Sequence, residues 1–227
     1  MFRWTLFIFL LLIAAAFLLR AAAIHWLLDR ALPFALNDTP GLLTSAHLLH
    51  FESEPEQCYA ALRRAGIAFE PTVREVKDGC GYADGAILVR SDIDHGGPLL
   101  MRCPALIALL LWEQQVVAPA AERIMGRKLV GIRHFGTFSC RNINHAREGR
   151  RSQHATANAI DIASFTLAGG DKVSVAQDWR DGGAKQAFLH AARDGACRVF
   201  GVVLSPDYNS LHRDHFHFDR GHANLCR

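Results

Sequence analysis

Two short stretches concentrate the ionisable side chains of this chain. SQHATANAID covers residues 152–161 and HRDHFHFD covers 212–219, the second with three histidines in six residues. Two neutral imidazole nitrogens and one carboxylate oxygen suit Zn²⁺ and leave a fourth position for water, the pattern of a catalytic and not a closed structural site. Such a water loses a proton near neutral pH and can attack a carbonyl. A further group must then take and return that proton. Each stretch alone also fits a half-exposed edge strand whose polar residues face solvent. Only in combination do they point to a metal.

The elements around them set the geometry. NAIDIASFTLAGGDKVSVAQDW reads as two strands joined at Gly169, Gly170 and Asp171. The pleat sends Ile160 and Ile162 to one face and Asp161 to the other, and His154 lies in a loop short enough to curl back to it. If DHFHFD is a strand, Phe216 and Phe218 bury on one side while His215, His217 and Asp219 line up on the other. His215, two positions from His217, is placed to manage the proton. Asp219 and His222 are candidates for orienting a ligand imidazole, with a surface position the simpler reading of His222.

Upstream, a helix begins near Glu54, carries Cys58, Leu62 and Ile67 toward a core, and has Gly66 near its end. GAILVR at 85–90 reads as a strand. A buried helix runs from Pro104 to Gly126, includes Trp112 in the core, and is broken or kinked at Pro119. KLVGIRHFGTFSC reads as a strand leading into Arg141. His95, in the turn-like DIDHGGP, is expected to be solvated. An amphipathic helix over 184–196 and a strand over 199–204 complete an α+β order.

Composition bounds the setting. With 227 residues, half of them hydrophobic, and a net charge of +3, the chain can bury one substantial core plus appendages. The basic residues form no run beyond Arg147, Arg150 and Arg151, which argues against nucleic acid as a partner. The first 28 residues are predominantly apolar, interrupted by Arg3 and Arg20. The apolar run is long for a cleaved signal peptide, so an uncleaved membrane anchor is favoured over a cleaved signal. Residues 29–53 read as a tether with room for one short helix, and 54–227 as the domain.

Six cysteines (58, 80, 103, 140, 197 and 226) contain no C-x-x-C pair. Three disulfides in an oxidising compartment is the natural reading, with all fifteen pairings open. Six buried thiols is the alternative. A nucleophilic Cys140 would need a free thiol.

SQHATANAID is similar to the S-x-H-x-x-G-x-A-x-D signature of zinc D-Ala-D-Ala peptidases, lysostaphin-type endopeptidases and hedgehog-like domains. Ser152, His154, Ala159 and Asp161 match, and Ala157 stands where the signature has glycine. HRDHFHF resembles the H-x-x-H-x-H arrangement of penicillin-insensitive murein endopeptidases. From FSCRNIN to HRDHFHFDRG, with the cysteine layout, the chain resembles the bacterial extensin-like C-terminal domain family over residues 55–227.

That resemblance implies an α+β fold with a small antiparallel sheet and packed helices, hedgehog/DD-peptidase-like, after an N-terminal transmembrane or signal helix. It implies His154, Asp161 and His217 as zinc ligands and His215 as general base or transition-state stabiliser, with His212 assisting. Arg141 and Ser152 would hold substrate, and a guanidinium can also stabilise a developing oxyanion. The expected activity is zinc-dependent cleavage of peptidoglycan stem peptides or cross-links. The expected location is periplasmic, anchored in the inner membrane, or secreted. The alternative is a domain that carries zinc or binds a wall peptide without turnover. The D-Ala-D-Ala dipeptidases place a glutamate before the last histidine, and this chain has none there.

Overall fold

The computed structural model describes residues 2–227. It divides into two compact units, residues 1–35 and 36–227. The first is built on helix α1, Phe2–Trp26, followed by a π-helical turn at Leu27–Ala31. Residues 9–31 are long and apolar enough to cross a bilayer.

The second unit is α+β. In chain order it contains α2 (Leu42–Ser53), α3 (Pro55–Arg64), β1 (Phe69–Lys77), β2 (Cys80–Leu88), β3 (Leu99–Arg102), α4 (Cys103–Trp112) and α5 (Ala118–Met125). Then follow β4 (Leu129–Gly136), β5 (Ala159–Leu167), β6 (Lys172–Ser174), the single turn α6 (Val175–Asp178), α7 (Ala184–Ala196), β7 (Val202–Leu204), β8 (Phe216–Asp219) and β9 (Leu225–Cys226). The compact unit starts at Leu36, so α2 belongs to the folded body. Its buried face of Thr44, His47, Leu48 and Phe51 is what the tether reading of 29–53 omits.

One sheet has the order β1-β2-β3 and the other β4-β5-β8-β7-β9, with β6 beside the far end of β5. Pairings are antiparallel except the short β7–β9 contact. The β1–β2 hairpin turns on Asp78 and Gly79, both at positive φ, as a two-residue turn between right-twisted strands requires.

The long apolar helix forms the core, but its irregularity lies upstream of Pro119. A π-helical turn spans Glu113–Val117 between α4 and α5. The proline has no N–H, and its ring clashes with the carbonyl four residues back, so the preceding turn widens to accommodate it. Gly126 ends α5 in the left-handed conformation. Every residue of α4 is buried. Trp112 donates its indole N–H to Ala192 O at 2.8 Å and meets Phe218 edge-on with centroids 5.3 Å apart. Truncating such a side chain typically costs about 3–5 kcal/mol. Trp112 therefore supports the face of β8 opposite its histidine.

Three disulfides join Cys58 to Cys103, Cys80 to Cys140 and Cys197 to Cys226, and no cysteine is free among the described residues. The second ties the tip of the β1–β2 hairpin to the residue preceding Arg141. The third fastens β9 to the end of α7.

His95 is buried, contrary to the solvated loop expected for DIDHGGP. Its Nε2 lies 2.7 Å from Glu113 Oε1, and both side chains are almost fully enclosed. The loop is drawn in because Asp94 pairs with β4: Asp94 N donates to Val130 O and Ile132 N donates to Asp94 O. The π-helical turn supplies the acid.

Candidate metal centre

Strands β5 and β8 place Asp161 directly opposite His217 in an antiparallel register. The neighbours Ile160, Ile162, Phe216 and Phe218 are fully buried on the other face. One apolar alternation on each strand thus brings the carboxylate and the imidazole together. His154 arrives from the 3-10 turn Gln153–Thr156. That turn is held at three points: Ser139 N donates to His154 O, Arg102 N donates to Ala157 O, and Ser152 Oγ accepts from His154 N at 3.3 Å.

The donor atoms of the three side chains converge. His154 Nε2 is 3.2 Å from His217 Nδ1 and 3.1 Å from Asp161 Oδ1, and His217 Nδ1 is 2.8 Å from the same oxygen. A tetrahedral zinc with bonds of about 2.0–2.1 Å holds its ligand atoms roughly 3.3–3.4 Å apart. An expansion of a few tenths of an ångström would admit the ion. Among the described residues this is the one group of three His, Cys, Asp or Glu side chains so arranged.

The tautomers are set from behind. His154 Nδ1–H donates to Thr137 O at 3.2 Å, and His217 Nε2–H donates to Asp219 Oδ2 at 3.0 Å. Each bond turns the remaining ring nitrogen, with its lone pair, toward the shared point. Asp219 is itself fixed by the Gly221 N–H, which donates to Oδ1 at 2.6 Å. His222, by contrast, is exposed and reaches only Glu52 at 3.9 Å.

Three electron-rich atoms so close together favour a proton or a metal cation among them. Burial alone would lower the pKa of His217. Hydrogen bonds to Asp161 and Asp219, and their charges, outweigh it and push the imidazole up to about 9. Burial likewise raises Asp161, but the adjoining imidazoles of His154 and His217 hold it well below the ordinary carboxylate range. A proton therefore occupies the position when no metal does.

The other expected residues fall around this centre. His215 precedes β8, with Nε2 3.7 Å from Asp161 Oδ1 and Nδ1–H donating to Asp214 Oδ1 at 2.9 Å. Arg141 Nη2 stands 3.8 Å from Asp161 Oδ2. The His212 ring centroid is 5.3 Å from that of His215 and 6.0 Å from that of His217. Burial, then the charges of His217 and His215, drive the pKa of His212 down to about 4, so it is neutral at ordinary pH. Ser152, expected to hold substrate, is buried, and its Oγ caps the turn that carries His154.

Several contributors escape a reading of the sequence alone. Thr137 acts through its backbone oxygen, which no side-chain pattern announces. Asp214 and Asn209, whose Oδ1 accepts from His212 Nδ1–H at 2.8 Å, sit beside the histidines they orient, so proximity in sequence could have found them. Phe135 and Tyr208 extend the rings outward, 5.6 Å from His215 and 5.5 Å from His212.

The position expected to need glycine is strained. Ala157 is fully buried in the left-handed conformation, at φ 54 and ψ 28. An L-residue there costs about 1–2 kcal/mol.

A family model described as Extensin-like protein C-terminus matches residues 56–227. The chain belongs to this extensin-like family. The match spans all six cysteines and every residue of the centre described above. No curated protein and no solved structure matches the chain.

Proposed function

We propose that this extensin-like chain is a zinc-dependent peptidase of the bacterial envelope, acting on the stem peptides or cross-links of peptidoglycan. The observation that carries the reading is the convergence of His154 Nε2, His217 Nδ1 and Asp161 Oδ1 within 3.2 Å, each imidazole oriented by a bond on its far side. Two imidazoles and a carboxylate are a donor set zinc accepts, with one coordination position to spare. When bound, zinc supplies Lewis acidity that polarises a peptide carbonyl and makes water a better nucleophile at neutral pH.

The residues of the chain divide the remaining work. His215, its Nδ1–H held by Asp214, presents Nε2 toward the centre, where it accepts a proton from the attacking water and returns it to the leaving amine. Arg141, whose Nη2 stands 3.8 Å from Asp161 Oδ2, stabilises negative charge on the attacked carbonyl oxygen or holds a substrate carboxylate. His212, neutral at working pH, adds no positive charge beside the zinc. The N-terminal apolar helix anchors the catalytic unit to the inner membrane, and the three disulfides suit a periplasmic setting.

The test is to incubate the zinc-loaded protein with purified sacculi and follow new amines and muropeptides by chromatography. The wild type should release products, and His215→Ala should bind zinc normally yet lose about 10²–10⁴ in rate. Absence of products from the wild type under zinc would instead leave a metal-bearing wall-binding domain.

A further inference from the structure

Beside the metal centre stands an ordered arm of which the proposed chemistry uses only Arg141. From Arg141 to Ser152 the chain forms a hairpin: Asn142 bridges Arg151, Ile143 N donates to Arg150 O, and Ser152 N donates to Arg141 O. Asn142 Nδ2 braces the loop by donating to both Ala146 O and Arg147 O. The base is fixed by the Cys80–Cys140 disulfide and by Arg151, which donates to Asp78 O at 2.9 Å and to Asn142 Oδ1 at 3.1 Å. One foot of the arm is Arg141, at the metal centre, and the other is Ser152, two residues from His154.

The arm carries Arg141, Arg147, Arg150 and Arg151 against a single acid, Glu148. Arg151 is consumed in holding the arm. Arg147 and Arg150 are exposed, and among the described residues neither enters an ion pair. Two guanidinium groups on a braced scaffold are preorganised for carboxylates. The rim of the same centre also carries a continuous row of rings, Phe135, His215, His212 and Tyr208, with steps of 5.6, 5.3 and 5.5 Å. Its outer members are largely open to solvent, Phe135 at 62% and Tyr208 at 44%. Guanidinium groups and apolar ring faces together match a peptide that bears both carboxylates and aliphatic side chains.

We propose that the arm Arg141–Ser152 selects the substrate: it takes an acidic peptide, with carboxylates against Arg147 and Arg150 and aliphatic groups along the ring row. This deepens the peptidase reading and rests on it for the word substrate, but the binding itself requires no turnover.

The experiment uses the full chain in detergent, loaded with zinc, and fluorescence anisotropy of two labelled pentapeptides. One bears glutamates and a free C-terminus; its twin bears glutamines and a C-terminal amide. The wild type should bind the acidic peptide more tightly, and the preference should shrink with added salt. The double variant Arg147→Gln/Arg150→Gln should lose roughly three- to tenfold in affinity for the acidic peptide and nothing for the neutral twin. Its zinc content and circular dichroism should be unchanged. Phe135→Ala should weaken both peptides alike. Equal binding of the two peptides by the wild type, or undiminished acidic binding by the double variant, overturns the assignment. Arm-dependent binding without any cleavage of sacculi would support the arm while removing the peptidase.

Discussion

His217 is held between two carboxylates, with Nδ1 2.8 Å from Asp161 Oδ1 and Nε2 3.0 Å from Asp219 Oδ2. The first carboxylate shares its imidazole nitrogen with the metal position and the second turns the ring toward it. This one relationship underlies the proposed zinc site, and the pH behaviour of the protein follows from it.

In the metal-free protein His217 titrates near 9, above the ordinary value of 6.5. A raised folded-state pKa contributes stability that is complete below pH 6.5 and is lost as pH rises through 9. Metal-free protein should therefore lose on the order of 3 kcal/mol between these limits. Zinc must displace the same proton, so its apparent affinity should rise roughly tenfold per pH unit over the same window. Denaturant melts at several pH values should show stability falling with pH in the metal-free protein and nearly flat in the zinc-loaded one. Parallel slopes would contradict the shared position.

Asp219→Asn keeps an acceptor for the Gly221 N–H but weakens the hold on His217. Zinc affinity should fall about 10–100-fold while the fold persists, as for other groups that orient a ligand imidazole. Competition with a chromophoric chelator measures it, and an unchanged affinity would remove Asp219 from the account.

The buried His95–Glu113 pair predicts a large asymmetry. His95→Ala leaves a carboxylate enclosed without its partner and should cost about 3–5 kcal/mol. The double variant His95→Ala/Glu113→Leu should recover much of that loss. Urea titration of the three proteins forms the cycle, and additive losses would mean the two residues act independently.

Ala157 offers a case where opposing terms nearly cancel. Ala157→Gly relieves about 1–2 kcal/mol of left-handed strain but gives up about 0.5–1 in chain entropy and about 0.8 of methyl burial. The net change should lie within about 1 kcal/mol. Ala157→Val, β-branched and overpacked, should destabilise by more than about 2 kcal/mol. Comparable stability of the valine and glycine variants would show that the turn can rearrange.

Much of the centre could be read from residue order because alternation along a strand is a local property. Ile160 and Ile162 flank Asp161, and Phe216 and Phe218 flank His217, so each strand declares its polar face before its partner is known. The strand Phe69–Lys77 went unread, since it is largely exposed and its sequence lacks a clean alternation. Other features depend on partners far along the chain. His95 is buried by Glu113, the disulfides pair cysteines 29 to 60 residues apart, and His154 is oriented by a backbone carbonyl. Nothing near those residues in the sequence specifies such contacts. Pro119 was visible as a breaker, but its effect falls on the preceding turn, where the missing donor is felt.

The most direct measurement is zinc stoichiometry by titration and elemental analysis on the purified full chain, with His154→Ala and His217→Ala alongside. The account predicts one tightly held zinc per chain in the wild type and none in either variant, each variant retaining its circular dichroism. A wild type that binds no zinc, or a folded His154→Ala variant that keeps a full equivalent, would contradict it.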